Sequence, residues 1–227
     1  MHLSLDNCEY CFSLPPFGQL PSLKALEISR MQGITKVGHE FYGDSSLSKP
    51  FQSLETLRFE EMLEWVDWYI LESGEFSKLK ELQVIKCPKL IGGLPKHIPS
   101  CVRLEIRECS RLMAQFSNIC AASTSELVLK GCDGVELGWR GLSSLTKLDI
   151  SYMPNLKELT PELCTLTNLK EFWVWNCPSL LSFPDTGLPP KLTCLSISHC
   201  EVRLSLPEGM MPLNTCLQHL KQLPVGR

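Results

Sequence analysis

Long apolar runs are missing from this chain of 227 residues. Its longest uncharged stretches reach 14 residues and contain proline or polar groups. A helix across a bilayer needs about 20 apolar residues, so no membrane partner is expected. The first 30 residues carry Asp6 and Glu9 without the apolar core of a secretory signal. No Asn-x-Ser/Thr glycosylation acceptor occurs either. An excess of positive charge is also absent: 22 basic residues face 25 acidic ones, for a net charge of -3. Without a basic stripe, nucleic acid is not the expected partner. The five histidines are scattered and form no constellation with acids or nucleophiles. No catalytic residue, cofactor site, metal site or small-molecule substrate is therefore read from the chain.

Cysteine, by contrast, is plentiful, with 12 copies, and its placement exposes the organisation of the chain. In residues 169–180, LKEFWVWNCPSL, apolar side chains fall at Leu169, Phe172, Val174, Cys177 and Leu180, at offsets 0, 3, 5, 8 and 11. The same offsets recur from Leu23, Leu54, Leu79, Cys101 and Leu145, and more weakly from Thr124 and Leu192. The chain opens inside a further copy, at Leu3, Leu5, Cys8 and Cys11. About nine copies of L-x-x-L-x-L-x-x-N/C-x-L define a leucine-rich repeat. The fold class is α/β in the sense of a leucine-rich-repeat solenoid. Its parallel sheet lies on the concave side, and its irregular, proline-rich returns hold little helix.

Six cysteines (Cys8, Cys87, Cys109, Cys132, Cys177 and Cys200) share offset 8, where the chain leaves the strand. They read as small buried residues offering a thiol to the backbone of the bend. Cys8 and Cys11 form a lone C-x-x-C with no second pair to complete a zinc site. Reduced thiols predict the cytoplasm, with the nucleus as a further possibility.

Residues 1–216 are expected to form one repeat domain, and 217–227 an incomplete repeat or frayed tail. Neither end shows the polar cap that solenoids need, so a piece of a longer array is expected. Pro15, Pro16, Gly18 and Pro21 exclude a regular helix in the first return. The longest spacing, 31 residues from Leu23 to Leu54, implies a loop opposite or beside the sheet, polar over residues 44–49. Trp65, Trp68 and Tyr69 are expected to close the lower edge of the core. Thr160, Pro161 and Glu162 read as N-cap, first position and first turn of a short helix, and residues 113–123 offer a second.

The phrases LPPFGQLPSLKALEI (residues 14–28), VGHEFYG (37–43) and PFQSLETLRFEEMLEW (50–65) resemble the C-terminal repeats of plant intracellular nucleotide-binding leucine-rich-repeat disease-resistance proteins of the coiled-coil class. The C-P-x-L turns at Cys87–Leu90 and Cys177–Leu180 are similar to that family too. The resemblance covers essentially the whole chain. It implies an interaction module that senses a pathogen effector or a guarded host protein, or that contacts the receptor's own nucleotide-binding domain in autoinhibition. No GxxxxGK(S/T) phosphate cradle is present, so ADP or ATP is not carried over. The alternatives are an adaptor on the same repeat, such as a ubiquitin-ligase substrate receptor, or a truncated, non-signalling product.

Residues flanking the inward strand pair should face outward in lateral rows. Most are charged or small, as a solvated face would be. One repeat departs from this with Trp173 and Trp175, with Tyr152 beside them on the preceding rung and His199 on the following one. Trp and Tyr are enriched among interface anchors, so these four are candidate protein-binding residues. The competing reading lays the rings on adjacent rungs merely to stabilise the sheet. The mixed-charge row Arg58, Glu81, Arg103, Glu105 and Arg107 is a weaker candidate. His199 and Cys200, as strand neighbours, should face opposite sides and do not form a nucleophile–base pair.

Overall fold

The computed structural model describes residues 1–44, 49–71 and 74–200. Within them run the strands β1 (His2–Asp6), β2 (Ala25–Ser29), β3 (Lys36–Val37), β4 (Thr56–Glu60), β5 (Asp67–Trp68), β6 (Glu81–Ile85), β7 (Arg103–Arg107), β8 (Glu126–Lys130), β9 (Lys147–Ser151), β10 (Glu171–Trp175) and β11 (Cys194–Ser198). Nine of them form one parallel sheet in the order β1-β2-β4-β6-β7-β8-β9-β10-β11. Each of these covers the five residues centred on an apolar pair of the repeat. The leucine-rich-repeat solenoid is therefore the fold of the chain. The incomplete repeat at 217–227 lies outside the described residues.

The register explains why the spacing works. Leu26 pairs with Leu57, Leu57 with Leu82, Leu82 with Leu104, and onward to Leu195 without a slip. A parallel row two residues along runs from Ile28 through Phe59, Val84, Ile106, Leu129, Ile150 and Val174 to Ile197. Side chains alternate across a strand, so both rows point inward, and both are buried. Each such side chain contributes about 1.5–3 kcal/mol on burial. The polar residue of the weak copy is satisfied: Thr124 is buried and its Oγ1 donates to Cys101 O at 2.8 Å.

A second regularity follows each strand. The residue just past it adopts a left-handed backbone in every rung: Asn7, Arg30, Glu61, Lys86, Glu108, Tyr152, Asn176 and His199 have φ between 53° and 56°, and Gly131 has φ 63°. This turn lets its N–H reach one rung onward. Lys86 N donates to Arg107 O at 2.8 Å, Glu108 N to Lys130 O at 2.7 Å, and Tyr152 N to Trp175 O at 2.8 Å. The inter-rung ladder thus extends one bond beyond the sheet. The offset-8 residue comes next and turns inward. Cys109 Sγ reaches Arg107 O at 3.2 Å, and Cys132 Sγ reaches Lys130 O at 3.2 Å. Burial pushes the Cys132 thiol up to about 12. All 11 described cysteines are free.

The long insertion does not simply skirt the sheet. Residues 36–43, KVGHEFYG, form β3 and a 3-10 turn, His39–Phe41. β3 pairs with β5 in a second, two-stranded sheet, which the repeat pattern had not indicated. Phe41 and Tyr42 are wholly buried with Phe51, Phe59, Trp65, Trp68 and Phe76. Tyr42 is fixed at both sides of its hydroxyl, which accepts from Trp68 Nε1 at 3.1 Å and donates to Tyr69 O at 2.8 Å. Burial pushes its phenol well above the usual range. Trp65 and Trp68 therefore close the core as expected, whereas the Tyr69 ring is half-exposed. Asp44 ends the described part of the loop, and residues 45–48 lie outside it.

Among the described residues, the helical elements of the returns are all 3-10 turns, at Phe17–Gln19, His39–Phe41, Phe116–Asn118 and Pro161–Thr165. The last two fall where helical turns were expected. Thr160 occupies the N-cap position but makes no capping bond, and its buried Oγ1 has no partner. A 3-10 turn this short leaves Leu163 N bonded to the Thr160 carbonyl at 3.0 Å instead.

Candidate functional site on the open face of the sheet

The outward positions are the odd members of each strand, and the charged row forms a connected network. Arg58 bonds Glu60 and Gln83, and Gln83 Nε2 donates to Glu81 Oε1 at 2.7 Å. Arg103 reaches Glu81 at 3.4 Å and Glu105 at 2.9 Å, and also pairs with Glu126. Arg107 pairs with Glu105 from the other side. Two guanidinium groups cover Glu105 so fully that its side chain is only 4% exposed. The structure thus brings Arg58, Glu81, Arg103, Glu105 and Arg107 together.

This face is not solvated throughout, which corrects the simpler expectation. Ile85, Glu105, Val128 and Ser151 point outward yet are buried. The cause is lateral. Val128 sits between Glu105 and Asp149 in register, and Asp149 is itself drawn to Lys130 at 2.8 Å and to Ser151. Long paired side chains lie across their smaller neighbours.

At the other end of the sheet the face changes character. Trp175, the last residue of β10, packs edge-to-face on Tyr152 with ring centroids 4.8 Å apart. On its other side it meets His199 at 6.0 Å, and its Nε1 donates to His199 Nδ1 at 2.8 Å. An accepting Nδ1 places the imidazole proton on Nε2. Tyr152, Trp175 and His199 therefore make a continuous row across three rungs. Tyr152 and His199 do not lie on strands: both belong to the left-handed column, which swings their side chains toward Trp175. His199 and Cys200 still do not meet in a nucleophile–base arrangement, because the imidazole faces Trp175 while Cys200 Sγ turns to Ser198 O at 3.4 Å.

Trp173 sits apart from this row, two residues earlier on β10 and between Asp149 and Ser196. With Trp175, Lys130, Asp149, Ser151 and Ser196 it lines an open hollow of about 440 Å³. Tyr152 and Trp175 each remain 42% exposed. Sequence reasoning named all four ring-bearing residues as candidates but missed the device that aligns Tyr152 and His199 with Trp175. The signal was present: Asn, Gly and His tolerate left-handed backbone best, and they occupy that slot at Asn7, Gly131, Asn176 and His199.

Among the described residues, no three His, Cys, Asp or Glu side chains are placed to hold a metal ion. Nor is any helix of the described residues long and apolar enough to cross a membrane.

Residues 52–201 match the family of plant disease resistance protein RPS2-like leucine-rich repeats. The chain is 31% identical to the putative disease resistance RPP13-like protein 1 of Arabidopsis thaliana, over 87% of this chain and 20% of that protein. It is 30% identical to the putative disease resistance protein RGA1 of Solanum bulbocastanum, over 71% of this chain and 16% of that protein. A 40% identical match to the putative disease resistance protein At3g14460 of Arabidopsis thaliana covers 47% of this chain and 8% of that protein. The chain thus spans a fifth or less of the length of these relatives. Stacked rungs, an inward leucine ladder and these matches together lead to one conclusion: the chain belongs to the leucine-rich-repeat family of plant disease-resistance proteins.

Proposed function

We propose that this solenoid is a non-catalytic recognition module of a plant intracellular immune receptor, working in the cytoplasm. Its open face binds a protein: a pathogen effector, a guarded host protein, or the receptor's own nucleotide-binding domain. One observation carries this reading. On this face the outward apolar side chains Ile85 and Val128 are buried by their neighbours, whereas Tyr152 and Trp175 remain 42% exposed in one row. Aromatic rings there supply large contact area at small entropic cost. Trp173 and the hollow beside it extend the same contact surface. The charged network from Arg58 to Arg107 satisfies its own charges, so it flanks the contact rather than driving it.

The test replaces Trp173 and Trp175 with Ala in the full-length receptor. Retained far-ultraviolet circular dichroism of the repeat region, with weakened co-precipitation of a candidate effector or of the nucleotide-binding domain, supports the reading. Collapse of the fold would assign the rings to sheet stability alone. Unchanged binding by a folded variant would move the contact elsewhere.

A further inference from the structure

The offset-8 thiols form a column through the solenoid, Cys87, Cys109 and Cys132 on consecutive rungs, then Met153, then Cys177 and Cys200. The first three are fully buried. The last pair differs, because Cys177 is buried while Cys200 is partly exposed.

Register fixes the distance between these two. Trp175 pairs with Ser198 in the sheet, and Asn176 N continues the ladder to Ser198 O at 3.0 Å. Cys177 and Cys200 follow in step, each Sγ turned toward the carbonyl two residues back, Trp175 O at 3.6 Å and Ser198 O at 3.4 Å. Neighbouring parallel strands lie about 4.8 Å apart, inside the roughly 4.4–6.8 Å separation of Cα atoms that a disulfide spans.

We propose that Cys177 and Cys200 are a redox modification site, a dithiol that low-molecular-weight disulfides such as oxidised glutathione convert to an inter-rung disulfide. Cys200 is the entry point. Its thiol loses a proton to solvent, and the sulfur attacks one sulfur of the oxidant. That bond breaks, one glutathione thiolate leaves, and a mixed disulfide remains on Cys200. Cys177 then gives up its proton and attacks Cys200 Sγ, expelling the second glutathione. In balance, two protein thiols and one glutathione disulfide become one protein disulfide and two glutathione thiols. The neighbouring Cys177 thiol draws the Cys200 thiol below its ordinary range, which favours the first attack. Cys87 and Cys109 share the stacking geometry but lack an exposed member, so they serve as an internal control. This site stands independently of the recognition surface.

The experiment equilibrates the full chain in glutathione buffers of increasing oxidation, quenches with an alkylating reagent and maps the peptides by mass spectrometry. The expected product is two hydrogens lighter, carries a Cys177–Cys200 crosslink, reverts with dithiothreitol and leaves Cys87 and Cys109 reduced. The Cys200→Ser variant should leave Cys177 free of glutathione. Three results would overturn the proposal: stable glutathione on Cys200 with Cys177 still reduced, both thiols reduced where exposed Cys8 is already modified, or a Cys87–Cys109 crosslink forming in the same buffers.

Discussion

Gly131 is the one glycine among nine left-handed positions that follow the sheet strands. Eight of those positions tolerate a side chain, but a β-branched one in this conformation is a steric outlier. Replacing Gly131 with Val should cost about 1–2 kcal/mol, seen as a lower melting temperature, while Glu108→Gly should change stability by only a few tenths. Glu105 is the opposite case, a charge fixed by its neighbours. Substituting Ala removes the carboxylate that Arg103 and Arg107 share, but both guanidiniums reach solvent and Arg103 keeps Glu81 and Glu126, so the cost should be about 1 kcal/mol. Thermal or urea unfolding would measure it. At this scale the sequence was more informative about side chains than about backbone. Trp173 and Trp175 announced themselves by breaking a charged pattern, but the alignment of Tyr152 and His199 depends on a backbone twist that only Asn7, Asn176 and Gly131 hinted at. The burial of Glu105 depends on two arginines folding over it, which no spacing rule encodes.

The strands were legible because a two-residue alternation repeated in every copy leaves only one register that keeps the leucines inside. Returns were less legible, since each packs by its own logic. The phrases LPPFGQLPS and VGHEFYG illustrate this. They are separate in sequence but lock together in the structure: Gln19 Nε2 donates to Tyr42 O at 3.1 Å and to Asp44 O at 3.2 Å. A Cβ on Gly18 would lie 2.4 Å from Tyr42 O. Gly18→Ala should therefore force the two returns apart and lower the melting temperature. Tyr42→Phe tests the same junction more gently. It keeps the ring but strands the Trp68 N–H and one Tyr69 carbonyl interaction, for an expected loss of about 1–3 kcal/mol. The paired strands β3 and β5 escaped sequence reading because two residues carry no period.

For the molecule as a whole, the exposed rim carries ion pairs that link one rung to the next. Arg30 holds the Asp6 carboxyl below its usual range through hydrogen bonds, Lys80 does the same for Glu55, and Lys86 for Glu61. Their folded values lie below the unfolded ones, so the unfolded chain takes up protons first on acidification. This stabilisation is complete above the ordinary glutamate value of 4.5 and is lost as pH falls through the lowered folded values. Melting temperature should drop on that acid limb. Because the pairs lie at the surface with their side chains in contact with solvent, salt at about 1 M should flatten the dependence. An acid limb insensitive to salt would point to buried groups instead.

Strict sequential pairing has one more consequence. Joining Ser100 directly to Thr124 would bring β6 beside β8, with Leu82 next to Leu127 and Val84 next to Leu129. The interior would meet the same kind of neighbour, and the outward pattern would jump from Glu81 and Gln83 to Glu126 and Val128. Such a chain can be shortened or lengthened by whole units like a stack of tiles. Recombination between copies then rewrites what the surface displays while the architecture beneath it stays the same.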